Sequence, residues 1–186
     1  KVNLKKNFKV QIIRSTLMVT ATTFMFYSLQ KFDLVDIYVV FFTAPLIVSL
    51  LSAYFLKDVL SAKGIFLMLL SFGSIVYSLG PSMRIFSLDL IFPIVPPICW
   101  ALYQFFTKVV SGDNDPFAAI FYTSILGAII FSIFIFFNWV PLEKNIFWLY
   151  LVILGVAGFI SHSLIIYAIQ LSNLSFVTNF QYSQLV

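Results

Sequence analysis

The chain has 186 residues, of which 61% are hydrophobic and 10% are charged, and its formal net charge at pH 7 is +4. Soluble domains have about 25% charged residues, so the composition excludes a water-soluble globular fold. A single cysteine, Cys99, also excludes an intrachain disulfide and a cysteine-cluster metal site.

Uncharged apolar runs of the length that an α-helix needs to cross a bilayer follow one another along the chain. In chain order they predict membrane spans at residues 15–30, 37–56, 64–83, 90–107, 116–142 and 147–170. A further span begins after the polar patch at residues 171–173 and reaches the last residue, Val186. The predicted fold class is therefore all-α, a polytopic bundle of transmembrane helices.

Basic residues between the spans predict the orientation, because they favour the cytoplasmic side. With the amino-terminal tail in the cytoplasm, that side collects Lys1, Lys5, Lys6, Lys9, Arg14, Lys57, Lys63 and Lys108, and the other side keeps Lys31, Arg84 and Lys144. Five of these charges flank the first span, so the lipid bilayer explains them and we expect no nucleic-acid partner. The sequence leaves open whether the chain forms a homodimer.

A faint internal repeat relates the start of the chain to its end. A shift of 140 residues places YSLQKFDL, which begins at Tyr27, on YAIQLSNL, which begins at Tyr167, with three identities. The shift moves the chain by five helices, and an odd number of crossings inverts the copy. Inverted repeats build midplane binding sites in many secondary transporters, although a chance match is the alternative.

One predicted span combines prolines with a polar aromatic stripe. Pro93, Pro96 and Pro97 remove backbone donors and are expected to kink the helix at Pro96 and Pro97. Trp100, Tyr103 and Gln104 then recur at helical spacing on one face. The stripe predicts the wall of a solute cavity, and an ordinary packed face of the bundle is the alternative.

Two further segments carry candidates for polar contacts to a solute. Pro45 lies mid-span after Phe42 and is expected to kink that helix. The 140-residue shift sets Phe42 against Tyr182, next to Gln181 and close to Asn179. Amides and a phenol at membrane depth are costly unless they face protein or water, so these residues either line the cavity or bond neighbouring helices.

His162 is the single histidine, and it lies within a predicted span. Histidine titrates near neutral pH, so it is a candidate for a proton-linked or polar cavity residue; a neutral packing residue is the alternative. The acidic residues all fall in hinges or at helix ends, and no phosphate-binding loop is present. We therefore expect no catalytic residues, no metal and no cofactor.

The order of these patterns resembles the EamA family of the drug/metabolite transporter superfamily. The run APLIVSLLSAYFLKDVLSAKGIFLMLLSFGSIVYSLGP is similar to part of the first EamA repeat, with Asp58 where the hinge usually has glutamate. The later runs ICWALYQFFTKVV, FYTSILGAIIF and TNFQYSQLV are similar to the second repeat.

The resemblance implies a ten-helix carrier with a cavity between two inverted repeats. It implies that this chain is a fragment covering helices three to nine, with the remainder of the first repeat at residues 1–83 and an incomplete second repeat at 84–186. Family members generally export metabolites, amino acids or drugs, and the bacterial inner membrane is the expected location.

Three classes of function remain from the sequence. The favoured one is a secondary carrier that exports a small metabolite or drug-like solute by alternating access. A non-transporting membrane partner subunit would also tolerate an apolar interior. A membrane-embedded enzyme is a poorer match, because one His beside two Ser without a membrane-depth carboxylate offers little for acid–base or nucleophilic chemistry.

Overall fold

The computed structural model describes residues 7–58, 65–66, 69–70, 72–73, 77, 89, 91–111, 116–137, 139, 141, 144 and 146–181. Within them the chain is helical and has no strand, which confirms the predicted all-α bundle. The helices with defined bounds there are α1 (Phe8–Leu29), α2 (Leu34–Phe41), α3 (Ala44–Phe55), α4 (Ile91–Val109), α5 (Pro116–Phe137), α6 (Ile146–Leu171) and α7 (Leu174–Asn179).

Four of the described helical stretches are long and apolar enough to cross a membrane: Phe8–Leu29, Leu34–Phe55, Pro116–Phe137 and Ile146–Leu171. The stretch Leu34–Phe55 consists of α2 and α3, and α4 coincides with the predicted span at residues 90–107. Most of the predicted span at 64–83, and the predicted repeat boundary after residue 83, lie outside the described residues.

Two predicted span ends are wrong. α1 begins at Phe8 instead of residue 15, so Arg14 lies inside the helix and not in a cytoplasmic flank. A charge-free run does not mark the full length of α1, because a charged side chain that is hydrogen-bonded inside the protein can lie within a span. α5 ends at Phe137 instead of residue 142.

Hydroxyl side chains in the spans bond their own helices. In α1 the hydroxyl of Thr22 donates to Met18 O at 3.0 Å, and that of Thr23 donates to Val19 O at 2.8 Å. The same four-residue pattern recurs at Ser28, Thr107, Thr123 and Ser163. Such bonds satisfy a polar group where lipid offers no partner, which lets these residues remain in the spans.

The hinges after α1 and α6 have the same local conformation. Asp33 precedes α2 with φ −65° and ψ 145°, and Asn173 precedes α7 with φ −63° and ψ 137°. Both are residue types that favour the position before a helix, in the extended conformation found there. These two helix starts are related by the same 140-residue shift as the repeated sequence.

α4 is the central helix of the described bundle, since it packs against α1, α2, α3, α6 and α7. Its Ala101 is fully buried with Val48, Ile169 and Leu174, and the missing bulk of an alanine lets the helices approach closely. Near the end of α4, Lys108 donates to the carbonyl oxygens of Ile169 at 2.9 Å and Ser172 at 2.6 Å. A cation at the carboxyl end of α6 satisfies carbonyls that the helix leaves unpaired.

Candidate functional site

An arginine is buried where α1, α4 and α5 meet. Arg14 is 0% exposed, and the α1 residues Gln11 and Ser15 beside it on the same helix face are also buried. The guanidinium donates to Gln11 Oε1 at 3.1 Å, Tyr103 Oη at 3.2 Å, Thr107 Oγ1 at 3.2 Å, Thr123 Oγ1 at 3.0 Å and the carbonyl oxygen of Ala119. These bonds engage each of its three nitrogens, so one side chain joins three helices. We call Arg14 with Gln11, Tyr103, Thr107 and Thr123 the Arg14 cluster.

An aromatic face adjoins the Arg14 cluster and consists of Trp100, Tyr103 and His162. The rings of Trp100 and Tyr103 stack with centroids 5.5 Å apart, and those of Tyr103 and His162 stack at 5.4 Å. Tyr103 Oη lies 2.6 Å from His162 Nε2, and the Arg14 guanidinium lies 5.1 Å from the centroid of the Tyr103 ring. Because Arg14 can only donate to the phenol oxygen, the phenol proton is available for His162 Nε2.

The Arg14 cluster and the aromatic face lie at membrane depth near one end of the bundle. Arg14 is six residues after the start of α1, and Tyr103 is six residues before the end of α4, so each lies about 9 Å from its helix end. His162 is nine residues before the end of α6, which places it about 14 Å from that end. Arg14 and Tyr103 therefore lie between one and two helical turns inside the ends of α1 and α4.

α1 and α5 touch at this end and separate at the other. Ser15 Oγ lies 3.4 Å from Thr123 Oγ1, and a Cβ on Gly127 would lie 3.9 Å from Val19 Cγ2. Farther along, a groove of about 610 Å³ opens between the two helices; it is lined by Thr23, Phe26, Tyr27, Gln30, Phe131, Phe134 and Ile135. Among the described residues, α1 and α5 are thus in contact at the Arg14 cluster, and the groove lies between them farther along.

The model of the EamA-like transporter family matches residues 88–186, just over half of the chain. The chain belongs to this family. It is therefore an integral membrane protein of the drug/metabolite transporter type, as the resemblance implied. Comparisons with curated proteins and with solved structures gave no match. Membership of a transporter family favours a transporter over an enzyme.

Several predicted site residues of this EamA-like transporter come together in the structure. Trp100, Tyr103 and His162 form the aromatic face, and Tyr103 and Gln104 are fully buried. Gln181 Nε2 donates to Gln104 Oε1 at 3.1 Å, which links α4 to the residues that follow α7. These contacts join residues that are up to 77 positions apart.

For three other predicted site residues no contact with the aromatic face is established. Phe42 is 3% exposed and its ring lies 6.0 Å from that of Tyr38. Asn179 is the last residue of α7, and Tyr182 lies outside the described residues. Cys99 is a half-buried free thiol.

Pro45 lies near the start of a helix, whereas Pro96 and Pro97 lie inside one. Pro45 lies in the first turn of α3, directly after Phe42 and Thr43 interrupt the helix. Thr43 Oγ1 donates to Val40 O at 2.7 Å at this break. Pro96 and Pro97 are buried inside α4, and the helix continues through them.

The sequence-based prediction missed Arg14 as a site residue. Its local signal is the spacing of Gln11, Arg14 and Ser15, which follows the helical period and places three polar residues on one face of an apolar helix. Its acceptors Thr107 and Thr123 come from distant segments and are ordinary hydroxyl residues in sequence. Within the described part of the chain, no three His, Cys, Asp or Glu side chains converge as a metal site would require.

Proposed function

We propose that this EamA-like transporter is a secondary carrier that exports a small metabolite or drug-like solute by alternating access. The family match supports transport in general. The observation that carries the mechanism is the asymmetry of α1 and α5, which are joined through Arg14 and Thr123 at one end and separated by the groove at the other. In this proposal the end where α1 and α5 are joined is the closed end of the carrier, and the groove belongs to its open end.

The orientation follows from the predicted topology. With the amino-terminal tail in the cytoplasm, the Arg14 cluster closes the cytoplasmic end and the groove opens to the outside. Opening the cytoplasmic end requires α1 to leave its bonds to Tyr103, Thr107 and Thr123. The five polar contacts that join Arg14 and Ser15 to α4 and α5 are then the ones that break and reform in each cycle.

The aromatic face is the surface that meets the solute in this proposal. Trp100 and His162 are half-buried, whereas Tyr103 lies fully buried behind them against Arg14. Flat rings with a few donors suit a small solute that must be held and released. The pair of Gln104 and Gln181 extends the polar wall, with Phe42, Asn179 and Tyr182 as further proposed contacts. A proton-linked role of His162 remains part of the proposal, through its bond to Tyr103.

Reconstitution tests the proposal. The full-length protein in liposomes should move at least one member of a broad panel of labelled metabolites, and Trp100→Ala should lower that flux at least tenfold, the effect of about 1.4 kcal/mol of lost contact. Trp148→Ala is the matched control, because Trp148 is 50% exposed near the start of α6, far along the helix from His162. Equal flux in the wild type and in Trp100→Ala would overturn the site, and absence of flux for the whole panel would overturn the carrier.

A further inference from the structure

The Arg14 cluster holds a positive charge that no described carboxylate balances. The five acceptors of the guanidinium are an amide, a phenol, two hydroxyls and a backbone carbonyl, all of them neutral. Among the described acidic residues, Asp89 pairs with Lys31 and Asp58 accepts a hydrogen bond from Ser52. Asp33 and Asp36 flank the start of α2, toward the opposite end of α1.

A charge within the bundle that has no counter-charge among the described residues needs compensation. Moving a cation to the centre of a bilayer is costly, and charged side chains there mark ion and substrate pathways. Neutral dipoles orient toward the guanidinium and reduce this cost, but they leave the net charge in place. The region around the aromatic face therefore has a positive potential that low-dielectric surroundings screen only weakly.

Two buried amide donors, one beside this charge on α1 and one directly after Tyr103 on α4, have no acceptor in the described structure. Gln11 Oε1 accepts from Arg14 Nε, which directs the amide nitrogen away from the guanidinium, and Gln11 Nε2 is buried without a bond. Gln104 Oε1 accepts from Gln181, and Gln104 Nε2 is likewise buried without a bond. Both side chains are 0% exposed. A buried donor without a partner is destabilising, so an acceptor that reached either amide would relieve this cost.

We propose that the site selects small organic anions, with a carboxylate as the recognised group. The inference rests on the proposed carrier function and specifies its substrate class. Arg14 acts through space, because its donors are occupied and the ring of Tyr103 separates it from the half-buried Trp100 and His162. It is an electrostatic and positioning residue, not a direct contact.

The size of the preference follows from the geometry. A solute on the exposed side of the aromatic face lies on the order of 9 Å from the guanidinium. At that separation and an effective dielectric constant of about 20, one unit charge favours an anion over its neutral isostere about twentyfold.

The test measures binding separately from flux. In the full-length protein with Trp139→Phe and Trp148→Phe, Trp100 is the single tryptophan of this chain, and its fluorescence reports on the aromatic face. The probes are isosteric pairs that differ in charge: phenylacetate with phenylacetamide, and cyclohexanecarboxylate with its carboxamide. We expect each carboxylate to bind about twentyfold more tightly than its amide, Arg14→Met to remove this preference and Arg14→Lys to keep most of it.

Lys9→Met is the matched control, since it removes an exposed cation from the same helix. Equal binding of carboxylate and amide to the wild type, binding of neither, or an unchanged preference in Arg14→Met each overturns the inference. The wild-type comparison decides the matter even if Arg14→Met does not fold. Charge-selective binding without flux of any solute would overturn the carrier proposal and support the anion site. Flux without a preference for the charged probes would support the carrier proposal and overturn the anion site.

Discussion

Replacing Arg14 by lysine should destabilise this protein more than replacing it by methionine. Lysine keeps the buried charge but has three N–H groups on one nitrogen, so it cannot reach acceptors on α4 and α5 as the five N–H groups of the guanidinium do. Methionine loses every bond but also removes the charge from membrane depth. Comparing the two variants therefore separates the free energy contributed by the hydrogen bonds of Arg14 from the free-energy cost of burying its charge.

The magnitudes decide the order. Interhelical hydrogen bonds in membrane proteins average about 0.6 kcal/mol each, and bonds to charged groups about 1.5–3 kcal/mol. At the membrane-protein average of about 0.6 kcal/mol each, loss of two to four bonds in Arg14→Lys should lower the free energy of unfolding by about 1–2.5 kcal/mol. In Arg14→Met, a loss of about 3 kcal/mol is offset by about 2.5–3.5 kcal/mol from no longer burying the cation. Arg14→Met should thus remain within about 1 kcal/mol of the wild type.

The measurement is the free energy of unfolding in mixed micelles, from titration with a denaturing detergent followed by far-ultraviolet circular dichroism. Lys9→Met, which removes an exposed cation from α1, should change this free energy by less than about 0.5 kcal/mol. If Arg14→Met is the less stable of the two Arg14 variants, the bonds outweigh the buried charge and the reasoning is refuted. Arg14→Lys is expected to be the less stable variant but to keep most of the anion preference, whereas Arg14→Met is expected to be the more stable one and to lose the preference. A loss of stability therefore cannot be mistaken for a loss of anion preference.

Two further predictions concern the ends of the bundle. Lys108→Met should lower the free energy of unfolding by about 1–2 kcal/mol, because it leaves the carbonyls of Ile169 and Ser172 without their charged donor. Lys144→Met, at an exposed lysine, is the control. If both variants lose the same free energy of unfolding, the prediction is contradicted. The second prediction uses a Cys99→Ala background in intact cells, with an impermeant maleimide added outside. The reagent should label Ile135→Cys, which lines the groove, but not Phe136→Cys, which is 81% exposed and outside the groove lining. The reason is that a thiol in lipid stays unreactive. Labelling of neither position, or of Phe136→Cys alone, would show that the groove does not open to outside water.

Elements that depend on local pattern were predictable from the sequence. The span at 116–142 begins at the predicted residue, and α4 agrees with its prediction to within two residues. Length and apolarity are properties of a single segment, and a helix that must cross a bilayer satisfies its backbone bonds internally. Prediction fails at α1, where the charge of Arg14 suggested a boundary that the neighbouring helices remove.

The candidate site was predictable only in part. Trp100 and Tyr103 lie on one turn of α4, so their proximity follows from helical spacing. The contact of Tyr103 with His162 joins residues 59 positions apart, and that of Arg14 with Thr123 joins residues 109 apart. Helical spacing does not specify which faces of different helices meet.

By itself the sequence determined that this chain is a membrane-spanning helical bundle and that it resembles the EamA family, because apolar length, hinge charges and motif order are encoded segment by segment. The tertiary structure alone decided that Arg14 is a buried residue and not a cytoplasmic anchor. A charge can stay at membrane depth only where several acceptors converge on it, and that convergence of α4 and α5 on α1 exists only after the helices have packed.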